Sequence, residues 1–226
     1  MHAAVDGDGF VACDLTFENT ASIEFHQAVA LRVGSDLSQF YRCSFLGNQD
    51  TLYVHSLRQF YRDCQIKGTI DFIFGNAATI FQNCEILIRP GRISSSIITA
   101  HGRTDPAQTT GIVFKQCVIN GTEEFIRQFK LKPSKYKVYL GRPWKMYART
   151  VYIDCVLERL VSPEGWRPWK SDFALGTLFY GEYNNSGLGA NVTHRVKWSR
   201  QISFSEAMWY SLSNFLQGYK WLSVKT

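Results

Sequence analysis

The sequence predicts an all-β fold, a single-stranded parallel β-helix in which short strands stack coil upon coil. Similar apolar segments recur along the chain at a base spacing of 20 or 21 residues, with some longer intervals. Each segment carries a cysteine at nearly the same phase and is bounded by Gly, Asn or Asp, which is typical of short strands in a solenoid. Tight Asn-Gly or Asp-Gly turns, which antiparallel hairpins favour, are scarce between the segments.

The repeated segments define the strands in chain order. They are FVACDLTF (10–17, the loosest copy), FYRCSF (40–45), FYRDCQI (60–66), IFQNCEI (80–86), VFKQCVI (113–119) and VYIDCVL (151–157). Stacked strands lie about 4.8 Å apart, so the cysteines would form an inward column within disulfide range. Cys43, Cys64 and Cys84 cannot all pair with one another, and buried free thiols are expected for most of them. A β-sandwich and a leucine-rich repeat are alternatives, although the second lacks its Leu/Asn spacing here.

The repeat pattern loosens after Val161 into a stretch rich in Gly, Asn and Trp. The segment SFSEAMWYSLSNFLQG then places Ala207, Tyr210 and Phe215 at helical spacing, with Ser203 or Ser205 as N-cap. A short C-terminal helix packed on the solenoid is expected. We see no linker, so residues 1–226 are treated as one domain.

The charge balance favours an anionic partner. The 226 residues carry 25 Lys+Arg and 19 Asp+Glu, a net charge of +6. Nucleic acid, anionic polysaccharide and membrane surface are all consistent with this charge, and so is an ordinary basic surface. No run of Lys and Arg resembles a nucleic-acid-binding arm, and no apolar stretch is long enough to span a membrane. Three Asn-X-Ser/Thr sequons and six Cys fit a secreted protein, although the first residues do not resemble a signal peptide.

Two octets, CSFLGNQD (43–50) and CQIKGTID (64–71), place an aspartate at the same phase 21 residues apart. On successive coils Asp50 and Asp71 would be neighbours, and two adjacent carboxylates resist joint ionisation. One can then serve as a general acid beside a nucleophile or base. The third octet has Gly91 at this phase, so the acid pair is local. The alternative is a pair of solvated turn residues without chemistry.

The residues around the two aspartates favour a catalytic role for the pair. Gln49 offers an uncharged amide donor for a developing oxyanion. Apolar neighbours would desolvate Asp71, which then needs a cation to remain ionised, and Arg142 in YLGRPW is the candidate. Trp144 in the same motif could offer a flat face to a sugar ring. The apolar neighbours are Ile70, Phe72, Ile73 and Phe74.

Several motifs resemble those of plant pectin methylesterases. They are HQAVALRVGSDLSQFYRC (26–43), GNQDTLY (47–53), GTIDFIFGNA (68–77), HGRTDP (101–106), YLGRPW (139–144), FALGTLFYGEYNNSG (173–187) and RVKW (195–198). The motifs run in family order from about Gly7 to Leu222. The resemblance implies a right-handed parallel β-helix and the hydrolysis of methyl esters on homogalacturonan in the cell wall.

The resemblance also implies a role for each catalytic residue. Asp71 would be the nucleophile, and Asp50 would act first as general acid and then as base. Gln27 and Gln49 would stabilise the oxyanion, and Arg142 would orient Asp71 and keep it ionised.

Gln27, Arg142, Trp144, Tyr53 and Phe74 would contact the substrate or line its cleft. No metal and no cofactor are expected. The partners would be methyl-esterified homogalacturonan and an inhibitor protein of these enzymes, not nucleic acid or membrane. The chain would act as a secreted monomer.

The chain also departs from the family. The coils that usually precede VDGDGF are missing, so an N-terminally truncated catalytic domain is expected. Asn48 stands where an aromatic residue is common, ASIEFHQ replaces the usual lead into His-Gln, and His101 replaces a Gln, which suggests an unusual pH profile. Two other functions remain open: a β-helical polysaccharide depolymerase, and a catalytically impaired protein that binds wall polysaccharide.

Overall fold

A computed structural model describes residues 3–222, which form a right-handed parallel β-helix. The predicted all-β solenoid is therefore confirmed. Each of six coils contributes one strand to each of three parallel sheets, called A, B and C here, and two further strands extend sheet B. Strands of one sheet are separated in sequence by a whole coil, so all pairings are parallel.

Sheet A carries the candidate functional site. Its strands are, in order, β1 (Ala3–Val5), β4 (Leu31–Val33), β7 (Leu52–Val54), β10 (Ile70–Gly75), β13 (Ser95–His101) and β16 (Lys137–Pro143). Sheet B contains β2 (Val11–Cys13), β5 (Ser38–Tyr41), β8 (Arg58–Arg62), β11 (Ala78–Gln82), β14 (Gly111–Lys115), β17 (Arg149–Ile153), β19 (Phe179–Tyr183) and β20 (Arg200–Gln201). Sheet C contains β3 (Thr16–Glu18), β6 (Ser44–Leu46), β9 (Gln65–Gly68), β12 (Glu85–Ile88), β15 (Val118–Gly121) and β18 (Val156–Leu157).

The corner between sheets B and C is the same in every coil. Two residues connect the strands each time, and the first of them has a positive φ between 50° and 57°. This left-handed conformation turns the chain sharply, and Asn and Asp tolerate it better than most side chains. These residues are Asp14, Arg42, Asp63, Asn83, Gln116 and Asp154.

The second corner residue forms the predicted cysteine column. Cys43, Cys64, Cys84, Cys117 and Cys155 are all buried and are free thiols. Burial raises the pKa of Cys84, Cys117 and Cys155 well above the usual thiol range. The five therefore pack as small apolar side chains.

The expectation that Cys13 belongs to this column is wrong. Cys13 pairs with the outward-facing Tyr41 and is exposed, whereas the left-handed residue of this coil is the next one, Asp14. Leu15 consequently takes the column position in the first coil.

A stack of aromatic rings fills the core beside sheet B. Neighbouring ring centroids lie 4.5 to 5.1 Å apart, each ring coming from one coil. These large, fully buried side chains therefore pack each coil against the next. The rings are Phe40, Tyr61, Phe81, Phe114 and Tyr152.

Two short helices replace the single C-terminal helix that the sequence predicted. They are α2 (Phe204–Trp209) and α3 (Leu212–Phe215), and each begins at a serine N-cap. Ser203 forms the predicted cap, since its hydroxyl accepts from the Glu206 N–H while the Glu206 carboxylate accepts from the Ser203 N–H. A further helix, α1 (Glu123–Leu131), was not predicted from the sequence; it is inserted between β15 and β16 and capped by Thr122. No helix within residues 3–222 combines the length and apolarity that crossing a membrane requires.

Candidate active site

The structure brings Asp50 and Asp71 together on adjacent coils of sheet A. Leu52 pairs with Ile73 and Tyr53 with Phe74, so the register between β7 and β10 is the 21-residue offset of the two octets. The Asp50 N–H also donates to the carbonyl oxygen of Ile70, 3.1 Å away. The spacing of the aspartates in the sequence is thus one turn of the β-helix.

Both aspartates adopt the left-handed backbone conformation, with φ of 61° at Asp50 and 49° at Asp71. Asp71 lies where the pairing of β10 with β13 shifts between Ile70 and Ile73. A bulge of this kind turns a side chain away from the regular alternation of a strand. Left-handed residues other than glycine are uncommon and often occur at functional sites.

Arg142 holds the Asp71 carboxylate through two nitrogens. Its Nε lies 2.9 Å from Oδ1 and its Nη2 lies 2.5 Å from Oδ2. Arg142 is on β16, two strands from β10, and Ala100 of the intervening β13 pairs with both Phe74 and Arg142. Ala100 lines the same cavity as Asp71 and Arg142. The predicted Arg142–Asp71 pair is present.

The two glutamines lie next to each other at the start of sheet A. Gln27 and Gln49 form an isolated parallel bridge, and the Ala28 N–H donates to the Gln49 carbonyl oxygen at 3.1 Å. Both side chains line the cavity that contains the two aspartates. Their amide groups are uncharged donors at the rim of the acid pair, as an oxyanion site requires.

Aromatic rings form the floor and wall of the cleft. The rings of Tyr53 and Phe74 are stacked with centroids 4.4 Å apart, and Trp144 meets Phe74 edge-on at 6.1 Å. Phe74 and Trp144 line the cavity itself, whereas Tyr53 lies one strand further along the sheet.

These side chains enclose a cavity of about 320 Å³ that is open to solvent. It is lined by Gln27, Gln49, Asp50, Asp71, Phe74, Ala100, Arg142, Trp144 and Trp169. Larger cavities exist elsewhere in the described chain, but the lining of none of them contains the acid pair. Every catalytic residue named from the sequence therefore contributes to one cavity.

The two carboxyl groups differ in their partners. Burial, and then the negative charge of Asp71, raise the pKa of Asp50 to about 7. Burial also raises the pKa of Asp71, but the hydrogen bonds and charge of Arg142 act in the opposite direction. Within the described residues no cation donates a hydrogen bond to Asp50. The site therefore keeps a proton on Asp50 more readily than on Asp71, which matches a general acid beside an anionic nucleophile.

Trp169 also lines the cavity, although it was not among the predicted site residues. The Arg142 guanidinium lies over its indole ring, 4.1 Å from the ring centroid, so this tryptophan covers the cation that holds Asp71. Trp169 lies in WRPWK, within the stretch after Val161 where the repeat ends. The only available signal was an aromatic residue close to a proline in a loop.

The expectation that His101 alters the pH profile is not supported. His101 is fully buried, and its Nδ1 accepts a hydrogen bond from the Arg149 N–H at 3.0 Å. Burial, then the charges of Arg149 and Arg103, lower its pKa to about 3. The imidazole is thus neutral in the pH range where Asp50 titrates.

Across residues 3–222, no three His, Cys, Asp or Glu side chains are grouped so as to hold a metal ion.

Comparisons with known proteins match this geometry to one family. The family model described as Pectinesterase matches residues 2–219. A probable pectinesterase/pectinesterase inhibitor 64 of Arabidopsis thaliana is 54% identical over 96% of this chain, and pectinesterase 2 of Citrus sinensis is 53% identical over 97%. The chain spans only 37% and 43% of those two relatives.

Comparison with solved structures gives the same family. The pectin methylesterase from carrot superposes with a TM-score of 0.92 at 50% identity, covering 97% of this chain and 69% of that one. The enzyme from Aspergillus niger superposes with a TM-score of 0.81 at 33% identity, covering 97% of this chain and 68% of that one.

Proposed function

Because the chain belongs to the pectinesterase family, we propose that it hydrolyses methyl esters of homogalacturonan to methanol and pectate through Asp71 as nucleophile. The observation that carries this proposal is the acid pair itself. Asp71 is buried and bound by Arg142 through two nitrogens, while Asp50 on the adjacent coil has a pKa near 7. Two carboxyl groups with different partners can divide the roles of nucleophile and acid.

In the first half of the reaction, a carboxylate oxygen of Asp71 attacks the C6 carbonyl carbon of an esterified unit. The carbonyl electrons move onto oxygen, and the amides of Gln27 and Gln49 stabilise that oxyanion. When the oxyanion collapses, the bond to the methoxy group breaks and Asp50 gives its proton to the departing methanol. An acyl anhydride between Asp71 and the sugar remains.

In the second half, Asp50 is anionic and removes a proton from water, which attacks the acyl carbon. The bond to Asp71 breaks, releasing the uronic acid and restoring the carboxylate that Arg142 holds. Asp50 ends the cycle protonated. A pKa near 7 suits a group that must give and take a proton in one turnover.

The aromatic lining of the cleft supports the proposal that the substrate is a carbohydrate. Phe74, Trp144 and Trp169 present aromatic surface around the acid pair, and such faces pack against the C–H groups of sugar rings. The net charge of +6 suits a polymer that becomes anionic as esters are removed.

We propose that residues 1–226 act as one secreted catalytic unit in the cell wall. We also propose that an inhibitor protein of pectinesterases is a partner.

The test is methanol release from highly methyl-esterified pectin by the intact chain. The expected result is turnover by the parent protein and its loss in Asp71→Asn, with circular dichroism showing that both are folded. Viscosity loss without methanol would favour a depolymerase instead. A folded parent protein that binds pectin but releases no methanol would favour the wall-binding alternative.

A further inference from the structure

A buried carboxyl group that the proposed chemistry does not use lies in the core of the β-helix. Glu182, on β19, pairs with Tyr152 of the neighbouring coil and is only 1% exposed. It therefore follows the stack of aromatic rings that fills the core in the five coils before it, in a position where another ring would extend the stack. Burying a charge costs free energy unless the charge is paired, so the role of Glu182 depends on what it binds.

Glu182 binds an arginine and a tryptophan at the same time. The Arg195 Nε lies 2.9 Å from Oε1 and its Nη2 lies 3.1 Å from Oε2, so the ion pair is bidentate. The Trp166 Nε1–H donates to Oε1 at 3.1 Å. Arg195 also donates to the carbonyl oxygen of Pro163 at 3.0 Å. Trp166 and Pro163 belong to one stretch of chain, residues 161–169, called the clamp segment here.

The clamp segment runs along the outer edge of β16, the strand that carries Arg142. The Leu140 N–H donates to the Gly165 carbonyl oxygen at 2.7 Å, and the Arg167 N–H donates to the Gly141 carbonyl oxygen at 3.1 Å. Because β16 is the last strand of sheet A, these hydrogen bonds take the place of those that a further strand would make. The backbone immediately before Arg142 is thereby held by the clamp segment.

Two tryptophans of the clamp segment contact β16 at different places. Trp166 is buried, and its ring lies 3.3 Å from the position that a Cβ on Gly141 would occupy. Trp169 lines the cavity and covers the Arg142 guanidinium, 4.1 Å from the ring centroid. Only two residues, one of them a proline with a fixed φ, separate the two tryptophans in the chain. A shift of Trp166 is therefore transmitted to Trp169 and to the guanidinium that it covers.

Resting on the proposed function, we propose that Glu182 is a positioning residue of the candidate active site. It fixes Trp166, and the clamp segment then holds Arg142 in the orientation that aims two of its nitrogens at Asp71. Arg195 balances the charge of Glu182 in the core. The pair is not required to fill the core, since apolar side chains of similar volume often replace a buried ion pair without loss of stability.

The test removes both charges together, because a variant that lost one would leave the other buried and unpaired. Glu182→Leu/Arg195→Met removes the ion pair and the hydrogen bond to Trp166. Glu182→Gln/Arg195→Met removes the charges but keeps an amide oxygen that can accept from the Trp166 N–H. The matched control is Asp36→Asn/Arg58→Gln, which removes another bidentate pair, neither member of which lines the candidate cavity.

The first measurement is the carboxyl pKa of Asp71 in the intact chain, from a ¹³C NMR titration in which Asp71→Asn assigns the signal and circular dichroism checks folding. We expect Glu182→Leu/Arg195→Met to raise this pKa by about one unit, because a guanidinium that is no longer held in place stabilises the carboxylate less. Glu182→Gln/Arg195→Met should reverse at least half of the rise, and the control should leave the pKa unchanged. No rise, no reversal, or an equal rise in the control would overturn the positioning role.

The second measurement is methanol release from esterified pectin. Glu182→Leu/Arg195→Met should lower kcat about tenfold and move the acidic limb of the pH–rate profile to higher pH, whereas the control should keep the parent profile. A lower kcat with the acidic limb at the parent pH would indicate a structural role alone and contradict the proposal. If the parent chain releases no methanol but the pKa of Asp71 still responds to Glu182, the proposed function fails and the positioning role stands.

Discussion

Replacing Asp50 by Asn should stabilise the protein while abolishing its proposed activity. Burial and the charge of Asp71 raise the pKa of the Asp50 carboxyl from its ordinary 3.8 to about 7. The folded state therefore holds this proton more tightly than the unfolded chain does. Stability should fall as the pH rises between these two values and stay constant above them.

The size of the effect follows from the same shift. A difference of about three pKa units corresponds to roughly 4 kcal/mol at 1.36 kcal/mol per unit. Asp50 is only half-buried, and solvent screening reduces this to about 2 kcal/mol. Asn resembles protonated Asp in shape and does not titrate. Asp50→Asn should then be more stable than the parent by about 2 kcal/mol near pH 8 and equally stable near pH 4.

Urea unfolding at the two pH values measures this difference. Asp154→Asn is the matched control, because Asp154 has the same left-handed backbone with φ of 53° but is exposed at the corner between sheets B and C. The control reports the preference of Asn for that backbone, and its effect on the free energy of unfolding is subtracted at each pH. The reasoning is refuted if the gain from Asp50→Asn is equal at both pH values, or if the variant is less stable than the parent at the higher one.

Four further expectations concern other features of the molecule. Arg142→Gln should lower kcat for methanol release about 100-fold and move the acidic limb of the pH–rate profile to higher pH. The reason is that burial raises the pKa of Asp71 and Arg142 no longer opposes it. An acidic limb at the same pH in the parent and the variant would contradict this. Gly75→Ala should lower the free energy of unfolding by about 3 kcal/mol in denaturant titrations. Gly75 has φ of 135°, and a Cβ there would overlap the Val54 carbonyl oxygen. A loss below about 1 kcal/mol would show that the turn can relax. Ellman's reagent should titrate one thiol quickly in the native chain, Cys13, and all six in urea; further fast thiols would mean that the column is open. Binding to pectate should weaken as salt rises, because the net charge of +6 acts through screened attraction; affinity independent of salt would argue against it.

The sequence predicted the parts of the site that depend on the coil period. Asp50 and Asp71 share a phase, and a period of 21 residues is enough to make them neighbours once the fold is a solenoid. Ile70 and Phe74 beside Asp71 implied burial, and burial implied a cation, which Arg142 supplies.

Features that lie outside the period could not be predicted in this way. Trp169 reaches Arg142 from a segment with no repeat, so only the folded path of that segment brings the two together. Cys13 was misplaced because the cysteine itself was used to align the copies. The left-handed corner residue, not the cysteine, fixes the phase, and in the first coil it follows Cys13. The helix α1 begins with Thr122 followed by two glutamates, a start signal that the strand pattern around it obscured.

The uniform corner between sheets B and C restricts where the length of this chain can change. That corner always contains two residues, whereas the connection from sheet C to sheet A ranges from one residue, after Gly68, to fifteen, after Gly121. One residue added at the fixed corner would exchange the inner and outer faces of the following strand. Changes in length are tolerated at the corners that border sheet A, and three of these corners contribute Gln27, Gln49 and Trp144 to the cleft. Evolution can therefore remodel what the cleft accepts without disturbing how the coils stack.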